Sequence, residues 1–273
     1  MISSYYSERG LDIYNGDCVE VLGFLKDSSF DLVVTSPPYN VNLGFNKYHR
    51  NPYDLYNDNK EHGEYIAWLG IVFKLIYSKL VDGGRVCINI GDGKNGAVPT
   101  SSDVIQLLVH MGYVPYTHII WDKSQVGPRT AWGSFGSPSC PSFPTPFEHI
   151  LVFSKGSKKL LRGGETDLDK QEFIDWSLAM WRFAPETRQK KFGHGAMFPE
   201  ELPKRCIKML SWKGARVLDP FAGAFTTGVV CKKLGREFVG IELSEEYCRV
   251  GADRLLGLSC VEEKVRGAEN AVM

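Results

Sequence analysis

Short apolar runs alternate with helically spaced apolar residues along the first part of the chain. Residues 11–14, 30–35 and 86–90 predict strands, and glycines follow the first and the third of them. Between the second and the third, five apolar residues recur at the spacing of one helix face: Ile66, Leu69, Phe73, Ile76 and Leu80. Strands that alternate with helices in this way are typical of a parallel sheet covered by helices.

The same alternation continues to residue 153 and returns near the carboxyl end of the chain. Further helices are predicted at 104–111, 226–234 and 244–256, and further strands at 116–121, 150–153, 215–219 and 237–241. The pattern stops between residues 154 and 193. We therefore predict one α/β domain formed by residues 1–153 and 194–258, with an insertion at 154–193 and a tail at 259–273.

The composition is that of a globular protein, with 43% hydrophobic and 23% charged residues. The 32 basic and 32 acidic residues balance, so any attraction to nucleic acid must come from local patches. No apolar run approaches the roughly 18 residues that cross a bilayer. Seven cysteines without a C-x-x-C pair argue against a disulfide framework, and the histidines lie at no ligand-like spacing. We expect a soluble cytoplasmic protein with no metal and no membrane partner.

Basic residues mark the predicted insertion. Lys155, Lys158, Lys159 and Arg162 have no acidic residue among them, and Lys190 and Lys191 follow near its end. Such a cluster can contact phosphates, but an ordinary solvated surface has the same composition, and the sequence leaves both interpretations open.

The first candidate site directly follows the predicted strand at residues 30–35. Two prolines, Pro37 and Pro38, hold the backbone extended and cannot donate to a neighbouring strand. The Ser36 hydroxyl and the Pro37 carbonyl are then available as acceptors beside the ring of Tyr39. A planar group with an amino substituent would stack on this ring and donate to these acceptors. For the tetrapeptide alone, an ordinary Pro-Pro turn is the alternative.

The second candidate site is a strand that runs into a glycine-containing turn and then a helix, at residues 217–228. Gly223 allows a ligand to approach the backbone, and the first turn of the helix has unpaired N–H groups. Glu242 ends the next predicted strand, where a carboxylate can accept from both hydroxyls of a ribose. This combination indicates a nucleotide site and does not separate NAD from other adenosine ligands.

Three segments together resemble the S-adenosylmethionine-dependent DNA amino-methyltransferases of the β group. Residues 36–39 resemble the S/D-P-P-Y motif, 219–223 the D-P-F-x-G motif, and 194–202 the H-P-A-x-F-P-E-x-L segment. The order of the motifs, with a basic insertion between them, is that of the β group. The resemblance extends from about residue 15 to about residue 255.

The resemblance implies a Rossmann-like, mostly parallel seven-stranded sheet with helices on both faces and a small target-recognition insertion. The strand that ends at Asp219 is expected beside the strand that ends at Ser36. Residues 1–153 would be the catalytic half of the domain, and 194–258 the half that binds the cofactor.

The resemblance also implies catalytic roles for Ser36, Pro37, Pro38 and Tyr39. The cofactor, S-adenosyl-L-methionine, would be held by Asp17, Cys18, Thr35, His194, Phe198, Pro199, Asp219, Pro220, Phe221, Gly223, Thr226 and Glu242. Within this set, Asp219, Phe221 and Gly223 would hold its methionine part, Glu242 its ribose and Asp17 its adenine amino group.

Two departures from the family pattern concern the cofactor. Ala224 and Phe225 stand where the family usually has Ser-Gly, and Gly195 replaces the usual proline after the histidine. We expect the bulky Phe225 ring to lower the affinity for the cofactor or to shift the turn.

The implied macromolecular partner is double-stranded DNA, from which the target base must be flipped out. Phosphate contacts are expected from Lys47, Arg50, Arg129, Lys155, Lys158, Lys159, Arg162, Lys190 and Lys191. For Arg129, a packed proline-rich crossover is an equally good interpretation. A homodimer, a companion restriction endonuclease and a prokaryotic setting are implied by the resemblance only.

Serine before the two prolines and the F-P-E-x-L segment resemble the enzymes that methylate N4 of cytosine. N6 of adenine remains the alternative, because either base presents an amino group to the same acceptors. An RNA or protein methyltransferase, an NAD-dependent oxidoreductase and a binding module without activity also stay open.

Overall fold

A nine-stranded mixed sheet organises the chain in a computed structural model, which describes residues 3–40, 59–93, 96–123, 133–134, 136–141, 143–187 and 197–257. In chain order the elements are β1 (Tyr6–Glu8), β2 (Leu11–Asn15), α1 (Cys18–Phe24), β3 (Phe30–Thr35), α2 (His62–Lys79), β4 (Leu80–Ile90), α3 (Thr100–His110), β5 (Tyr113–Asp122), β6 (Phe147–Lys155), α4 (Lys170–Trp176), β7 (Met180–Arg182), α5 (Glu201–Leu210), β8 (Arg216–Asp219), α6 (Thr226–Leu234), β9 (Glu237–Glu242) and α7 (Glu245–Leu256).

The strands lie in the order β1-β2-β9-β8-β3-β4-β6-β5-β7. The run from β2 to β4 is parallel throughout, whereas β6 is antiparallel to both β4 and β5. The strands β2, β9, β8, β3, β4 and β5 therefore end at one edge of the sheet, and β6 begins there. We call this edge the site edge.

Helices cover both faces of the sheet because the side chains of a strand point alternately to its two sides. In β3, Leu32 and Val34 pack with α5, α6 and α7, whereas Val33 packs with α1, α2 and α3. Both clusters are buried, so the central strands are apolar on both sides, as expected for a parallel sheet.

The observed fold confirms the predicted Rossmann-like α/β class and differs from it in the number of strands. Seven strands form the body of the sheet. The three-residue strands β1 and β7 are the outermost strands on its two sides. Leu80, predicted as the last residue of a helix face, is the first residue of β4. The Leu80 side chain is buried against the same face of the sheet as α2. The apolar spacing of the helix therefore continues past the end of α2 into β4.

The segment predicted as an insertion contributes to this sheet. Residues 154–187 include α4 and β7, and β7 pairs in parallel with β5. Trp181 of β7 is buried in the cluster on the α5–α7 face, and its indole N–H donates to the carbonyl of Trp176 over 2.9 Å. The described part of the insertion is thus packed onto the main core.

Phe225 lies in the core rather than at the surface of the turn, and its effect on the affinity for the cofactor stays a prediction. The residue has the left-handed φ of 61°, immediately before α6, and its side chain has no exposed surface. The ring occupies space left by two glycines: a methyl group on Gly240 would lie 2.6 Å from it, and one on Gly251 would overlap it. The left-handed backbone turns the ring inward, away from the turn at residues 220–223.

Among the described residues, none of the helices is long and apolar enough to cross a bilayer.

The contact between Gly251 and Phe225 predicts the effect of a substitution. Gly251→Ala should lower the free energy of unfolding by about 1–3 kcal/mol, because the added methyl overlaps the buried ring. Gly23→Ala is the matched control: Gly23 lies in α1 with open space around it, and the change should stabilise by about 0.5–1 kcal/mol. Urea unfolding of the three proteins measures both effects. Equal stability of Gly251→Ala and the parent would contradict the packing.

Candidate active site

Several polar residues of the two candidate sites lie at the site edge, where neighbouring parallel strands end. Asp219 is the last residue of β8, and Thr35 is the last residue of β3, the strand beside it. On the other side of β8, Glu242 ends β9, and Asn15 ends β2. Crossover connections in a parallel sheet bring these residues together, although they are far apart in the sequence.

A buried carboxylate joins three of these elements. Asp219 is 1% exposed and accepts hydrogen bonds from the hydroxyls of Thr35 and Thr227, both over 2.7 Å. Its Oδ1 also accepts the N–H of Phe221 over 3.2 Å. Burial raises the pKa of Asp219 from 3.8 to about 6, against the opposing effect of these hydrogen bonds. The carboxylate therefore ties the end of β3 to the turn after β8 and to the start of α6.

Glu242 holds the same turn from the other side. Its Oε2 accepts the N–H of Gly223 over 2.8 Å, and its Oε1 accepts the N–H of Ser244 over 2.9 Å. Gly223 has a φ of 51°, in the left-handed region that glycine adopts without strain. Burial is the largest cause of a raised pKa at Glu242, but the side chain stays partly exposed. Each carboxylate oxygen can accept a further hydrogen bond from a ligand.

Asp17 and Cys18 lie at the end of β2, beside Glu242. The exposed Asp17 carboxylate caps α1 by accepting the N–H of Val19 over 2.8 Å and that of Glu20 over 3.3 Å. Cys18 is buried, and burial raises the pKa of its thiol to about 12, so the thiol packs as a neutral group. Asn15 fixes this corner because its amide donates to the carbonyls of Glu242 and Leu243 over 3.1 and 3.0 Å.

The other residues predicted to hold a cofactor have the following places. Pro220 and Thr226 are buried on either side of the turn, and Phe221 is half-buried with its ring 5.5 Å from the ring of Trp68. Phe198 and Pro199 are half-buried just before α5, and Phe198 packs against the α5–α7 face. His194 lies outside the described residues.

The turn after β3 brings its serine and its tyrosine into contact. The Ser36 hydroxyl donates to the Tyr39 hydroxyl and to the carbonyl of Asn89, both over 3.1 Å. Pro37 and Pro38 are buried, whereas Ser36 and Tyr39 are partly exposed. Two buried prolines thus hold a partly exposed hydroxyl and a partly exposed aromatic ring at the site edge.

The sequence analysis did not identify three residues at this turn: Asn89, Glu148 and Lys123. The amide of Asn89 donates to the Tyr39 hydroxyl over 2.7 Å, the Tyr39 hydroxyl donates to Glu148 over 3.0 Å, and Lys123 forms an ion pair with Glu148. One signal could have found Asn89: it is the polar residue within the otherwise apolar stretch at 86–90. Lys123 and Glu148 became neighbours only through the pairing of β5 with β6.

The structure does not bring the basic cluster of the insertion to the site edge. Because β6 runs antiparallel to β4, it ends at the opposite edge with Lys155, and Lys158, Lys159 and Arg162 follow from there. The Lys155 ammonium donates to the carbonyl of Leu80 over 2.8 Å. The remaining predicted DNA contacts lie outside the described residues: Lys47, Arg50, Arg129, Lys190 and Lys191.

The donor set at the site edge fits an adenosine ligand that carries a positive charge. Partly exposed carboxylates at Glu242 and Asp17 offer acceptors for hydroxyl and amino groups, and Phe221 offers an aromatic face. Gly223, in the turn after β8, is buried and adds no side chain there. No group of three or more His, Cys, Asp or Glu side chains placed to hold a metal ion occurs in the described ranges.

The fold and the site define a class of protein, an α/β domain in which the turn at residues 36–39 lies beside the turn at residues 220–223. We call these the acceptor turn and the cofactor turn, after the roles that the sequence motifs predict. The family model described as DNA methylase matches residues 30–253. The chain therefore belongs to the N6/N4 DNA methylase family, which confirms the resemblance inferred from the motifs.

Curated relatives agree with this membership. The Type II methyltransferase M.MjaVI of Methanocaldococcus jannaschii is 37% identical over 184 residues, which cover 67% of this chain and 90% of that protein. The Type II methyltransferase M.SmaI of Serratia marcescens is 31% identical over 287 residues, which cover 91% of each. The chain is thus a DNA amino-methyltransferase of the N4/N6 family.

Solved structures support the fold. A DNA modification methylase of Thermus thermophilus, complexed with S-adenosyl-L-methionine, has a TM-score of 0.68 and 27% identity over 90% of this chain and 93% of that one. The PvuII DNA methyltransferase, described as cytosine-N4-specific, has a TM-score of 0.72 and 23% identity over 98% and 94% of the two chains, and shows the fold alone.

The buried state of Asp219 predicts a dependence of stability on pH. Because its pKa is raised to about 6 on folding, the folded state binds the proton more tightly than the unfolded chain does. The stability that protonation supplies is complete below about pH 4 and is lost as the pH rises through about 6. The loss should reach at most about 3 kcal/mol, and Asp219→Asn should abolish it.

Urea unfolding of the parent protein and of Asp219→Asn between pH 4 and pH 8 measures this difference. Asp175→Asn, at an exposed position in α4, is the control, and should keep the parent's pH dependence because it leaves Asp219 in place. Parallel stability curves for the parent and Asp219→Asn would contradict the assignment.

Proposed function

We propose that the chain transfers a methyl group from S-adenosyl-L-methionine to the exocyclic N4 amine of a cytosine flipped out of double-stranded DNA. The observation that carries the proposal is the 2.7 Å hydrogen bond between Thr35 and Asp219, which places the Ser36 turn directly beside the Asp219 turn. We place the enzyme in a prokaryotic cytoplasm as the modification component of a Type II system. A companion restriction endonuclease and a homodimer belong to the same proposal.

The cofactor, when bound, supplies a methyl group on a positively charged sulfur. We assign its ribose to Glu242 and its adenine amino group to Asp17, because the two carboxylates lie at the ends of the neighbouring strands β9 and β2 and are accessible. Phe221 and Gly223 would border its methionine part. Thr35, Pro220, Thr226 and Asp219 are buried and would act by holding that turn in shape. Cys18, His194, Phe198 and Pro199 complete the proposed set.

The chemistry follows from the weak nucleophilicity of a base amine, whose lone pair is delocalised into the ring. The Ser36 hydroxyl and the Pro37 carbonyl would accept hydrogen bonds from its two N–H groups, so the nitrogen can become pyramidal and direct its lone pair at the methyl carbon. As the nitrogen–carbon bond forms, the carbon–sulfur bond would break, and the methylated nitrogen would then release one proton to water. Stacking on Tyr39 orients the base, and orientation supplies much of the remaining acceleration. Pro38 keeps the turn rigid. No strong base and no covalent intermediate are needed.

A base within a duplex reaches this turn only after it is flipped out, at a cost of a few kcal/mol that stacking on Tyr39 offsets in part. Lys47 and Arg50 are proposed as phosphate contacts because the described residues on either side of their segment lie near the site edge. Asn40 and Lys60 flank it, and they are joined by hydrogen bonds of 2.7 and 2.9 Å. Arg129 similarly lies between β5 and β6, which meet at this edge.

The structure gives less support to phosphate contacts from the basic residues at the opposite edge of the sheet. Contacts of Lys155, Lys158, Lys159 and Arg162 with phosphates require a duplex that extends well beyond the site edge. Lys190 and Lys191 stay predictions from the sequence.

Cytosine is favoured over adenine by the serine at position 36 and by the F-P-E-x-L segment at 198–202. After expression in a host without DNA methylation, nucleoside mass spectrometry of the host DNA should find N4-methylcytosine. The variant Tyr39→Ala is the control and should leave little or none. N6-methyladenine as the sole product would contradict the choice of cytosine but would still agree with membership of the N6/N4 family.

Two substitutions should separate the acceptor turn from the cofactor turn. Tyr39→Ala should keep the affinity for S-adenosyl-L-methionine within about twofold and lower the turnover by about 10- to 100-fold, because base stacking contributes about 1–3 kcal/mol. Asp219→Ala should lose both the affinity for the cofactor and the turnover, since it leaves the hydroxyls of Thr35 and Thr227 without their acceptor. Calorimetry and transfer of a labelled methyl group to DNA measure the two quantities. Equal loss of cofactor binding in both variants would show that the roles are misassigned.

A further inference from the structure

The hydroxyl of Tyr39 is held by a closed triangle of hydrogen bonds. It donates to Oε2 of Glu148 over 3.0 Å, and the amide of Asn89 donates both to this hydroxyl and to the same carboxylate oxygen, each over 2.7 Å. The Ser36 hydroxyl adds a fourth contact over 3.1 Å. The outer end of the phenol is thus fixed by three side chains.

The triangle lies in a region largely withdrawn from water. Asn89 is 2% exposed, and the side chain of Glu148 is 13% exposed. Lys123 forms an ion pair with the other oxygen of Glu148, and its ammonium lies 5.4 Å from the centre of the Trp121 ring. A carboxylate with so little exposure needs such a partner, because an unpaired buried charge is costly.

The backbone at Gly91 packs against the ring of Tyr39. A methyl group on Gly91 would lie 3.3 Å from Cε2 of Tyr39 and 3.6 Å from Cγ of Glu148, so the ring and the carboxylate side chain both lie against this glycine. The antiparallel pairing of β4 with β6 creates this arrangement, since Ile90 lies opposite His149. Three separate parts of the chain therefore meet at one phenol: the turn after β3, the end of β4 and the start of β6.

We propose that Glu148 is a positioning residue that, together with Asn89, orients the phenol ring of Tyr39 to receive the flipped base. The ring has two rotatable side-chain bonds, and a base stacks productively only on a ring whose plane is already set. Glu148 acts through the Tyr39 hydroxyl and does not touch the base. This inference rests on the role proposed for Tyr39.

A double-mutant cycle tests whether Glu148 acts through that hydroxyl. Glu148→Gln should lower kcat by about 10- to 100-fold, because its amide cannot face Lys123 and also accept from both Tyr39 and Asn89. The affinity for S-adenosyl-L-methionine should stay within about twofold, because none of the three groups borders the proposed cofactor turn. In the Tyr39→Phe background, the same substitution should change kcat by less than about twofold, because no hydroxyl remains to be held.

The assay is transfer of a labelled methyl group to unmethylated bacteriophage DNA, with kcat and KM determined separately. Glu165→Gln is the matched control: Glu165 forms an exposed ion pair with Lys213 over 3.4 Å, and its loss should leave kcat unchanged. Asn89→Leu, which removes the second member of the triangle, should show the same coupling to Tyr39→Phe as Glu148→Gln.

Three outcomes would overturn the inference. They are an unchanged kcat in Glu148→Gln, an equal loss of kcat in the parent and Tyr39→Phe backgrounds, and loss of cofactor binding by both Glu148→Gln and Asn89→Leu. The last outcome would show that the triangle supports the fold rather than the ring. Label on adenine instead of cytosine would contradict the proposed function and leave this test intact, because the assay counts transfer to either amine.

Discussion

The buried carboxylate of Asp219 is the interaction on which the site depends. It accepts from the hydroxyls of Thr35 and Thr227, so one side chain joins the end of β3, the end of β8 and the start of α6. A carboxylate with 1% exposure persists only where such donors surround it. The same hydrogen bonds fix the distance between the turn that would hold the acceptor base and the turn that would hold the methyl donor.

The shape of the cofactor turn depends on packing behind it as well as on its own residues. Phe225 adopts a left-handed backbone that a phenylalanine rarely takes, and its ring fills the space over Gly240 and Gly251. In front, Glu242 accepts the N–H of Gly223. The carboxylate of Glu242 therefore holds the turn, and the Phe225 ring lies in the core beyond it.

The acceptor turn is supported across the sheet by residues that are remote in sequence. Tyr39 follows β3, Asn89 belongs to β4, and Glu148 belongs to β6. Their hydrogen bonds exist because β6 returns antiparallel beside β4 and begins where β4 ends. The same reversal carries Lys155 and the basic residues that follow it to the opposite edge, so one topological feature both completes the turn and separates the basic cluster from it.

The amino-acid sequence alone determined the local elements, the α/β class and the two turns, because apolar periodicity, prolines and glycines act over a few residues. It also pointed to Ser36, Tyr39 and Asp219, which lie in contiguous motifs, and to Glu242 at the end of the next strand. Only the tertiary structure decided that the Phe225 ring points into the core, that Glu148 and Asn89 hold Tyr39, and that Lys155 lies far from the site. These facts depend on strand order and direction, which bring distant residues together and leave no signal in local spacing.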